Sequence, residues 1–242
     1  MKKILIILNI ILLLVVIFLI IKGNLWDRSS QYISRKLDLQ DKYHYTENPK
    51  YKPGTENFML FNKQADIVML GNSITAGIDW NELLGRKDIV NRGINGDITE
   101  GMLNRMKTVI KVKPKVCFFL GGINDLTRRV PPENTIANIK NIINTLLNND
   151  VKPVLQSIIY TEQRFYDFEH NNEYITTIND ELKKFADDKN ILFLDLNEHL
   201  SENNLLKAEY SHDGLHLNAK GYSAWGKIVK ETIDSLQLTM DN

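Results

Sequence analysis

The 242-residue chain has a single cysteine and no surplus of either charge, and both features limit the classes of protein to which it can belong. Cys117 has no partner for an intrachain disulfide and lies within the apolar run VCFFL, so we expect it to be a core residue. Lysine plus arginine equals aspartate plus glutamate, 30 each, which argues against a partner with a phosphate backbone. The composition therefore excludes a disulfide framework and predicts no nucleic-acid partner.

Acidic side chains are also missing from the first 22 residues, where the run Ile4–Ile21 is apolar except for Asn9. As a helix, this run would span ~27 Å at ~1.5 Å per residue, close to the ~30 Å hydrocarbon core of a bilayer. We interpret residues 1–22 as a signal anchor; the alternative is a cleaved signal peptide, although KGNLWDRSS offers no clean small-residue cleavage site. Two lysines precede the run, which predicts that the rest of the chain is extracytoplasmic, or secreted if the helix is cleaved.

Residues 23–60 mix charged, aromatic and turn-forming side chains without a clear period, so we interpret them as a stalk or lead segment before a domain over 61–242. In that domain, short apolar runs typical of buried strands alternate with apolar stripes at helical spacing. The runs are Ile67–Leu70, Ile89–Val90, Val116–Leu120, Val154–Ile159 and Ile191–Leu194. This alternation predicts an α/β fold in three layers, with a parallel sheet of about five strands between helices.

Polar residues and glycines come directly after three of these runs and before the last helical stripe. They are Gly71-Asn72-Ser73, Asn91-Arg92-Gly93, Gly121-Gly122-Ile123-Asn124-Asp125, and the stretch SHDGLHLNAKGY with Asp213 and His216. In a parallel α/β sheet the ligand site forms at the carboxyl ends of the strands, so these clusters are expected at one edge. A serine, a histidine and an aspartate brought together there could act as nucleophile, general base and orienting acid.

The four clusters resemble, in order, sequence blocks of the SGNH hydrolases, also called GDSL esterases or lipases. GNSIT is similar to the first block, NRGINGD to the second, GGIND to the third and DGLH to the fifth, over roughly residues 65–230. Within the superfamily, NRGINGDITEGMLNRM and KPKVCFFLGGIND are most similar to the small esterases related to platelet-activating-factor acetylhydrolase. The resemblance implies a flavodoxin-like SGNH fold and a carboxylic ester hydrolase.

The same resemblance assigns roles to residues of this chain. It implies Ser73 as nucleophile, His216 as base and Asp213 as its orienting acid. The Ser73 amide, the Gly93 amide and the Asn124 side chain are implied to form the oxyanion hole. The first block usually reads Gly-Asp-Ser, whereas Asn72 stands here in the place of the aspartate. Because asparagine can accept the same backbone hydrogen bonds, we expect local ordering to change more than the chemistry.

Each motif also has a simpler structural interpretation. Ser73 alone would more often cap a helix, and Asn124 with Asp125 would be a capping loop pair, the role we keep for Asp125. His212 and His216 have an H-x-x-x-H spacing that suggests a metal, but they lie in a glycine-containing loop and no further ligand cluster is evident. We therefore predict no metal and no organic cofactor.

Several further residues and motifs have more than one interpretation. Arg92 and Asn95 beside Gly93 could touch substrate or support the residues that do. His170 and His199 are interpreted as surface or packing residues. GGIND lacks the lysine of a phosphate-binding loop, and the serine lacks the G-x-S-x-G pattern of an α/β-hydrolase. Residues 160–174, YTEQRFYDFEHNNEY, could form one wall of the substrate pocket or an ordinary exposed loop.

The sequence thus predicts a membrane-anchored, extracytoplasmic serine esterase with a small acyl substrate, acetyl above all. The alcohol component could be a sugar, a lysophospholipid or a thioester. Two other classes of function stay open: an O-acyltransferase that passes the acyl group to a glycan, and a non-catalytic glycan-binding module on the same fold. The complete set of catalytic residues speaks against the binding module.

Overall fold

The computed structural model of the chain describes residues 43–238, together with positions 9, 12, 13 and 18. Apart from these four positions, the predicted membrane-spanning run lies outside the described residues. Among the residues that are described, no helix combines the length and apolar composition that a membrane span requires. Tyr43–Asn242 form one compact unit, distinct from Met1–Lys42, so this unit begins 18 residues before the predicted domain boundary at residue 61.

The centre of this unit is a sheet of five parallel strands, as predicted. The strands are β1 (Ile67–Gly71), β2 (Ile89–Gly93), β3 (Val116–Leu120), β4 (Lys152–Gln156) and β5 (Leu192–Leu194). Their spatial order is β2-β1-β3-β4-β5, which is the flavodoxin-like arrangement. Every residue of β1 and β3 is buried, in keeping with central strands covered by helices on both faces. The predicted three-layer α/β fold is confirmed.

The fourth strand ends earlier than its apolar run, which continues to Ile159. At Ile158 the backbone leaves the sheet, because the side chain of Asn179 replaces the strand partner. Its Oδ1 accepts from the Ile158 amide at 2.8 Å, and its Nδ2 donates to the Ile158 carbonyl at 2.9 Å. A side-chain amide thus satisfies backbone groups that a longer strand would have paired.

Helices lie on both faces of the sheet. In chain order they are α1 (Tyr51–Leu60), α2 (Ser73–Ala76), α3 (Trp80–Leu84), α4 (Thr99–Asn104), α5 (Lys107–Ile110), α6 (Ile123–Thr127), α7 (Pro132–Leu147), α8 (Phe168–Lys189), α9 (Asn197–Leu200) and α10 (Ala219–Ser235). α4, α7 and α8 pack side by side, and α10 packs with α3 and α9. A short antiparallel pair, β6 (Ser201–Glu202) and β7 (Leu205–Leu206), follows α9.

The part of the lead segment that is described has regular structure of its own. A 3-10 turn at Tyr45–Glu47 precedes α1, which contacts α5. No residue of α1 is fully buried, so the helix is not held by an apolar stripe. Instead, the Tyr51 hydroxyl donates to the Gly101 carbonyl at 3.2 Å, and Phe58 lies over two arginine side chains. Aromatic rings with polar or cationic partners attach this helix to the domain.

Candidate active site

Ser73 begins α2, directly beyond the carboxyl end of β1. Asn72 caps this helix, because its Oδ1 accepts a hydrogen bond from the Ile74 amide at 2.9 Å. Asparagine at this position therefore accepts a backbone hydrogen bond, as expected, and the donor is the Ile74 amide. Asn72 is fully buried, and its Nδ2 has no hydrogen-bond partner among the described residues. Asparagine in place of the usual aspartate therefore leaves one buried polar atom unsatisfied.

Two glycines allow the nucleophile turn, Gly71–Gly77, to lie close to its neighbours. A Cβ on Gly71 would come within 2.5 Å of the Leu120 carbonyl oxygen on β3. A Cβ on Gly93, at the end of β2, would come within 2.8 Å of the Asn72 carbonyl oxygen and of the Ala76 Cα. Real Cβ atoms do not approach this closely, so any larger residue would push β2 or β3 away from Ser73.

Two aromatic side chains brace the nucleophile turn from the helical layer. The Tyr222 hydroxyl on α10 donates to the Ile74 carbonyl at 2.8 Å, and the Trp80 indole N–H donates to the Thr75 carbonyl at 3.0 Å. The Trp80 ring meets the Trp225 ring edge to face, with 4.6 Å between centroids. Carbonyls that α2 is too short to satisfy internally thus receive buried donors, which fixes the backbone next to Ser73.

The structure brings the three predicted catalytic side chains into one chain of hydrogen bonds. Ser73 Oγ lies 3.0 Å from His216 Nε2, and His216 Nδ1 lies 2.7 Å from Asp213 Oδ2. Both ring nitrogens of His216 are therefore engaged, one with a hydroxyl and one with a carboxylate. With the proton on Nδ1, the imidazole presents a lone pair at Nε2 to the serine hydroxyl, which is the arrangement of a general base.

The acid and the base lie on one short segment, the base loop, Ser211–Leu217. The other oxygen of Asp213 accepts from the backbone amides of Leu215 at 3.0 Å and His216 at 2.8 Å. Burial, the largest influence, raises the pKa of Asp213, but the hydrogen bonds from the His216 side chain and from these amides outweigh it and lower the pKa to about 2. Asp213 is therefore a carboxylate at neutral pH.

Ser211 closes the base loop on itself. Its hydroxyl donates to the His216 carbonyl at 2.7 Å and accepts from the Gly214 amide at 2.9 Å. Gly214 has φ +87°, a conformation that favours glycine, and a Cβ there would meet the Phe165 backbone at 2.8 Å. These contacts set the spacing that lets Asp213 reach His216 from three residues away.

The three predicted oxyanion-hole residues lie at or just beyond the ends of neighbouring strands, Ser73 after β1, Gly93 at the end of β2 and Asn124 after β3. Asn124, at the start of α6, donates one Nδ2 hydrogen to the Asp97 carbonyl at 2.8 Å. This bond orients the amide, and the second Nδ2 hydrogen has no hydrogen-bond partner among the described residues. The Gly93 amide donates to Asn91 Oδ1 at 2.8 Å, so in this state it is already engaged. Asn91 belongs to a cluster predicted at this edge, but its role as the partner of the Gly93 amide was not predicted.

The other residues considered in the sequence have structural roles. Arg92 is buried and donates to the Thr108 carbonyl at 3.1 Å, while Asn95 is exposed. Burial, and then the neighbouring charge of Arg105, lower the pKa of Arg92 to about 10. His170 and His199 are exposed, and Cys117 is a free, buried thiol whose pKa is raised by burial. Within the described part of the chain, no three His, Cys, Asp or Glu side chains group as metal ligands.

The aromatic and polar stretch at residues 160–174 packs against the base loop. The Glu162 amide donates to the Gly214 carbonyl at 2.8 Å, and Arg164 Nη2 donates to the Ser211 carbonyl at 3.2 Å. Arg164 also pairs with the Glu162 carboxylate. The first half of this stretch is thus a support for the segment that carries Asp213 and His216.

Three buried charged residues near Asn124 were not predicted as part of the site. Asp97 and Arg105 form an ion pair with both side chains fully buried, and Asp125 accepts from the amide and hydroxyl of Thr99. Burial, the dominant influence, raises the pKa of Asp125 to about 7, against the lowering effect of the Thr99 hydrogen bonds. One signal was present: Arg105 follows Met102 by three residues and precedes Val109 by four, so it falls on an apolar helical stripe.

Comparison with known proteins identifies the family. The sequence model of the GDSL-like lipase/acylhydrolase family matches residues 69–224. This range includes the nucleophile turn, strands β2 and β3, and the base loop. The chain belongs to this family. It is a carboxylic ester hydrolase, as the sequence blocks predicted.

Solved structures of this kind share the fold. A GDSL-like lipase from Bacteroides thetaiotaomicron is 22% identical with a TM-score of 0.68, covering 77% of this chain and 98% of its own. A Streptococcus pneumoniae protein named as a platelet activating factor is 25% identical with a TM-score of 0.67, covering 86% of this chain and 99% of its own.

A curated relative shares only part of its length with this hydrolase. The N-acylneuraminate cytidylyltransferase of Streptococcus agalactiae serotype V is 28% identical over 166 residues. The match covers 69% of this chain but 38% of that protein. The chain thus spans less than half the length of the curated relative that it matches.

Proposed function

We propose that this hydrolase is a serine esterase that removes a small acyl group, acetyl by preference, through an acyl-serine intermediate. The observation that carries the proposal is the hydrogen-bonded chain from Ser73 through His216 to Asp213, with contacts of 3.0 and 2.7 Å. A structural serine needs no base aligned with its hydroxyl and no carboxylate behind that base. This geometry therefore favours nucleophilic catalysis over a helix-capping role.

The first half of the reaction acylates Ser73. As Ser73 Oγ attacks the ester carbonyl carbon, His216 Nε2 takes the hydroxyl proton, and the Asp213 carboxylate stabilises the imidazolium. The negative charge that develops on the carbonyl oxygen is received by the second Nδ2 hydrogen of Asn124, by the Ser73 amide and, once it leaves Asn91 Oδ1, by the Gly93 amide. When the tetrahedral intermediate collapses, His216 gives its proton to the departing alcohol.

The second half releases the acid. Water attacks the acyl-serine, gives a proton to His216 Nε2, and forms a second tetrahedral intermediate. Collapse of this intermediate expels Ser73 Oγ, which regains the proton from His216, and the carboxylic acid leaves. The enzyme therefore returns to its starting state with one ester bond broken and one water consumed.

The preference for a small acyl group rests on how much of the described chain the family region occupies. The family region at residues 69–224 and its short flanks account for almost all of the described residues, and no separate lipid-binding domain is among those residues. The Streptococcus agalactiae relative is named for a sugar acid, N-acylneuraminate, so acetylated sugars are the natural esters to test first.

The test is release of p-nitrophenol from p-nitrophenyl esters, acetate through dodecanoate, by the full-length protein. We expect acetate to have the highest kcat/KM and Ser73→Ala to lose on the order of 10⁶-fold in kcat, as serine hydrolases do without their nucleophile. Ser201→Ala, which removes a hydroxyl bonded to Asn197, is the matched control and should keep the parent activity. Mass spectrometry of the quenched acetate reaction should find the acetyl group on the peptide that contains Ser73.

Other outcomes would point to the alternative functions. A folded Ser73→Ala protein as active as the parent would refute the serine mechanism. Acyl transfer that outcompetes hydrolysis when a glycan is added would make the enzyme an O-acyltransferase with the same intermediate. A folded parent without turnover on any ester would favour the glycan-binding module.

We also propose that the enzyme is membrane-anchored, with its catalytic domain outside the cytoplasm. The support is the apolar run Ile4–Ile21 behind two lysines. Fractionation of cells that express the full chain should place the esterase with the membranes, and external protease should remove it from intact spheroplasts. Activity in the medium would indicate cleavage and secretion, and activity protected from protease would contradict the orientation.

A further inference from the structure

The ion pair between Asp97 and Arg105 is unusual in being fully buried. Arg105 Nε lies 2.7 Å from Asp97 Oδ2, and neither side chain is exposed. Removing two charges from water is costly, and replacing such a pair by apolar residues often leaves a protein as stable or more stable. Because stability alone is a weak reason for this pair, its other contacts are informative.

Those contacts join the two sides of the oxyanion region. Arg105 Nη2 donates to the Gly71 carbonyl at 3.0 Å, at the end of β1 and two residues before Ser73. The carbonyl of Asp97 accepts the hydrogen bond that orients Asn124, at 2.8 Å. A continuous path therefore runs from the nucleophile strand through the guanidinium and the carboxylate to the oxyanion amide.

The lead helix α1 covers this path. The ring of Phe58 lies under two guanidinium groups, with its centroid 5.8 Å from Arg105 Cζ and 4.7 Å from Arg92 Cζ. The electron-rich face of the ring attracts both guanidinium groups and so offsets part of the repulsion between these two neighbouring cations. Tyr51, on the same helix, holds the Gly101 carbonyl of α4, the helix that begins two residues after Asp97.

We propose that Arg105, held by Asp97 and covered by Phe58, is a positioning residue that sets the distance between Ser73 and the Asn124 amide. This inference rests on the proposed esterase function and deepens it. Arg105 does not touch the substrate. It acts on the nucleophile side through the Gly71 carbonyl and on Asn124 through Asp97. Because Phe58 covers this arginine, residues 51–58 belong to the catalytic domain and support its chemistry.

The first test measures kcat and KM of full-length Arg105→Met and Arg105→Lys on p-nitrophenyl acetate. A displacement of about 1 Å at the reacting groups can cost ~10²-fold, so we expect kcat of Arg105→Met to fall by about that factor. Lysine keeps the charge but lacks the fork that reaches both partners, so Arg105→Lys should lie between Arg105→Met and the parent. KM and the shape of the pH profile should change little, because Asp213 and His216 keep their contacts.

A double-mutant cycle separates positioning from general damage. If Arg105 acts through Asn124, adding Arg105→Met to Asn124→Ala should cost little beyond the loss from Asn124→Ala alone. Losses that multiply in the double variant, or a folded Arg105→Met protein with kcat within about twofold of the parent, would overturn the proposal.

A variant of the covering helix keeps the test informative if the arginine variants do not fold. Phe58→Leu should lower kcat several-fold with KM retained. The matched control is Phe185→Leu, because Phe185 also lies under a cation, Lys140 Nζ at 5.4 Å, but on α8. Phe185→Leu should reduce Tm without lowering kcat, and equal effects of the two variants on kcat would count against the proposal.

A readout independent of turnover distinguishes this inference from the esterase function. The side-chain NH₂ signals of Asn124, assigned by their loss in Asn124→Ala, can be followed by ¹H–¹⁵N NMR in the full-length protein. If the parent has no esterase activity, the proposed function fails, yet a shift of these signals in Arg105→Lys or Phe58→Leu would still support positioning. Unchanged signals in both variants would overturn it.

Discussion

The two sides of the candidate site are built in different ways. Ser73 and Asn124 lie just beyond the ends of central strands, and the backbone next to Ser73 is held by buried donors such as Tyr222. Asp213 and His216 lie on a loop, and their side chains are 54% and 47% exposed. The nucleophile side takes its geometry from the sheet and the helical layers, whereas the base side takes it from hydrogen bonds within a few residues.

This difference assigns different tasks to packing and to local hydrogen bonding. A site packed against the sheet can hold an amide donor in place before the substrate arrives, which is what oxyanion stabilisation requires. A half-exposed histidine is accessible to substrate and to water, which suits a general base. Substitutions on the two sides should therefore differ in what they damage.

The largest effect on the base side should come from Asp213→Asn. The variant keeps the shape of the side chain but loses the charge that stabilises the imidazolium and selects the tautomer with the proton on Nδ1. A comparable change in serine proteases lowers kcat by ~10⁴-fold, and we expect a loss approaching this size in kcat on p-nitrophenyl acetate. Asp234→Asn, which breaks an exposed ion pair with Lys230, is the matched control. Near-parental turnover in Asp213→Asn would show that the carboxylate is dispensable.

On the nucleophile side, Asn124→Ala should lower kcat by ~10²–10³-fold, the usual cost of one oxyanion donor. KM should change little, because the donor acts mainly on charge that appears in the transition state. Asn62→Ala is the control, since Asn62 also donates its amide to a carbonyl, that of Lys111 at 2.9 Å. A loss expressed in KM with kcat retained would assign Asn124 to substrate binding instead.

Much of this arrangement could be predicted from the sequence. Five apolar runs indicated the strands, and the rule that parallel strands end at one edge brought Ser73, Gly93 and Asn124 together. Asp213 and His216 were predictable because they lie within one motif. Contacts inside a motif and at strand ends depend on local geometry, so the spacing of residues in the sequence predicts them.

Other parts of the site could not be predicted because they depend on pairing between distant residues. The sequence has apolar residues at helical spacing from Met102 to Ile110, but the structure has two helices there, α4 and α5, with Arg105 at the break. Helix α1 buries no residue completely and is attached through Phe58 and Tyr51, so it has no apolar period to detect. A hydrophobic pattern shows which face is buried but does not show which charge or ring will meet it.

Ser211→Ala should have a smaller effect that spreads over stability and activity. The hydroxyl bonds the His216 carbonyl and the Gly214 amide, and the net contribution of such bonds is ~1 kcal/mol each. We expect Tm to fall and kcat to drop several-fold as the base loop loosens. Ser235→Ala removes a similar bond, to the Thr232 carbonyl at 2.7 Å on α10, and should lower Tm without reducing kcat. Unchanged kcat in a destabilised Ser211→Ala protein would show that Asp213 and His216 hold each other in place.

The smallest effects concern pH, where carboxyls on the two sides should act in opposite directions. The pKa of Asp213 is lowered from 3.8 to about 2 by its hydrogen bonds despite the opposing effect of burial, so its stabilising contribution is present above about pH 4 and lost as the pH falls towards 2. Burial raises the pKa of Asp125 from 3.8 to about 7, so the folded state binds the extra proton between these values. Stability linked to Asp125 should therefore decrease as the pH rises from about 4 to about 7.

Urea unfolding of the parent, Asp213→Asn and Asp125→Asn between pH 2 and pH 8 separates these contributions. Asparagine does not titrate, so Asp213→Asn should lose the rise in stability between about pH 2 and 4, and Asp125→Asn the decline between about pH 4 and 7. The two variants should therefore diverge from the parent in different pH windows. If the free energy of unfolding of both variants differs from that of the parent by an amount independent of pH, the surroundings of Asp125 are no drier than those of Asp213. The contrast between the two sides of the site would then concern geometry alone.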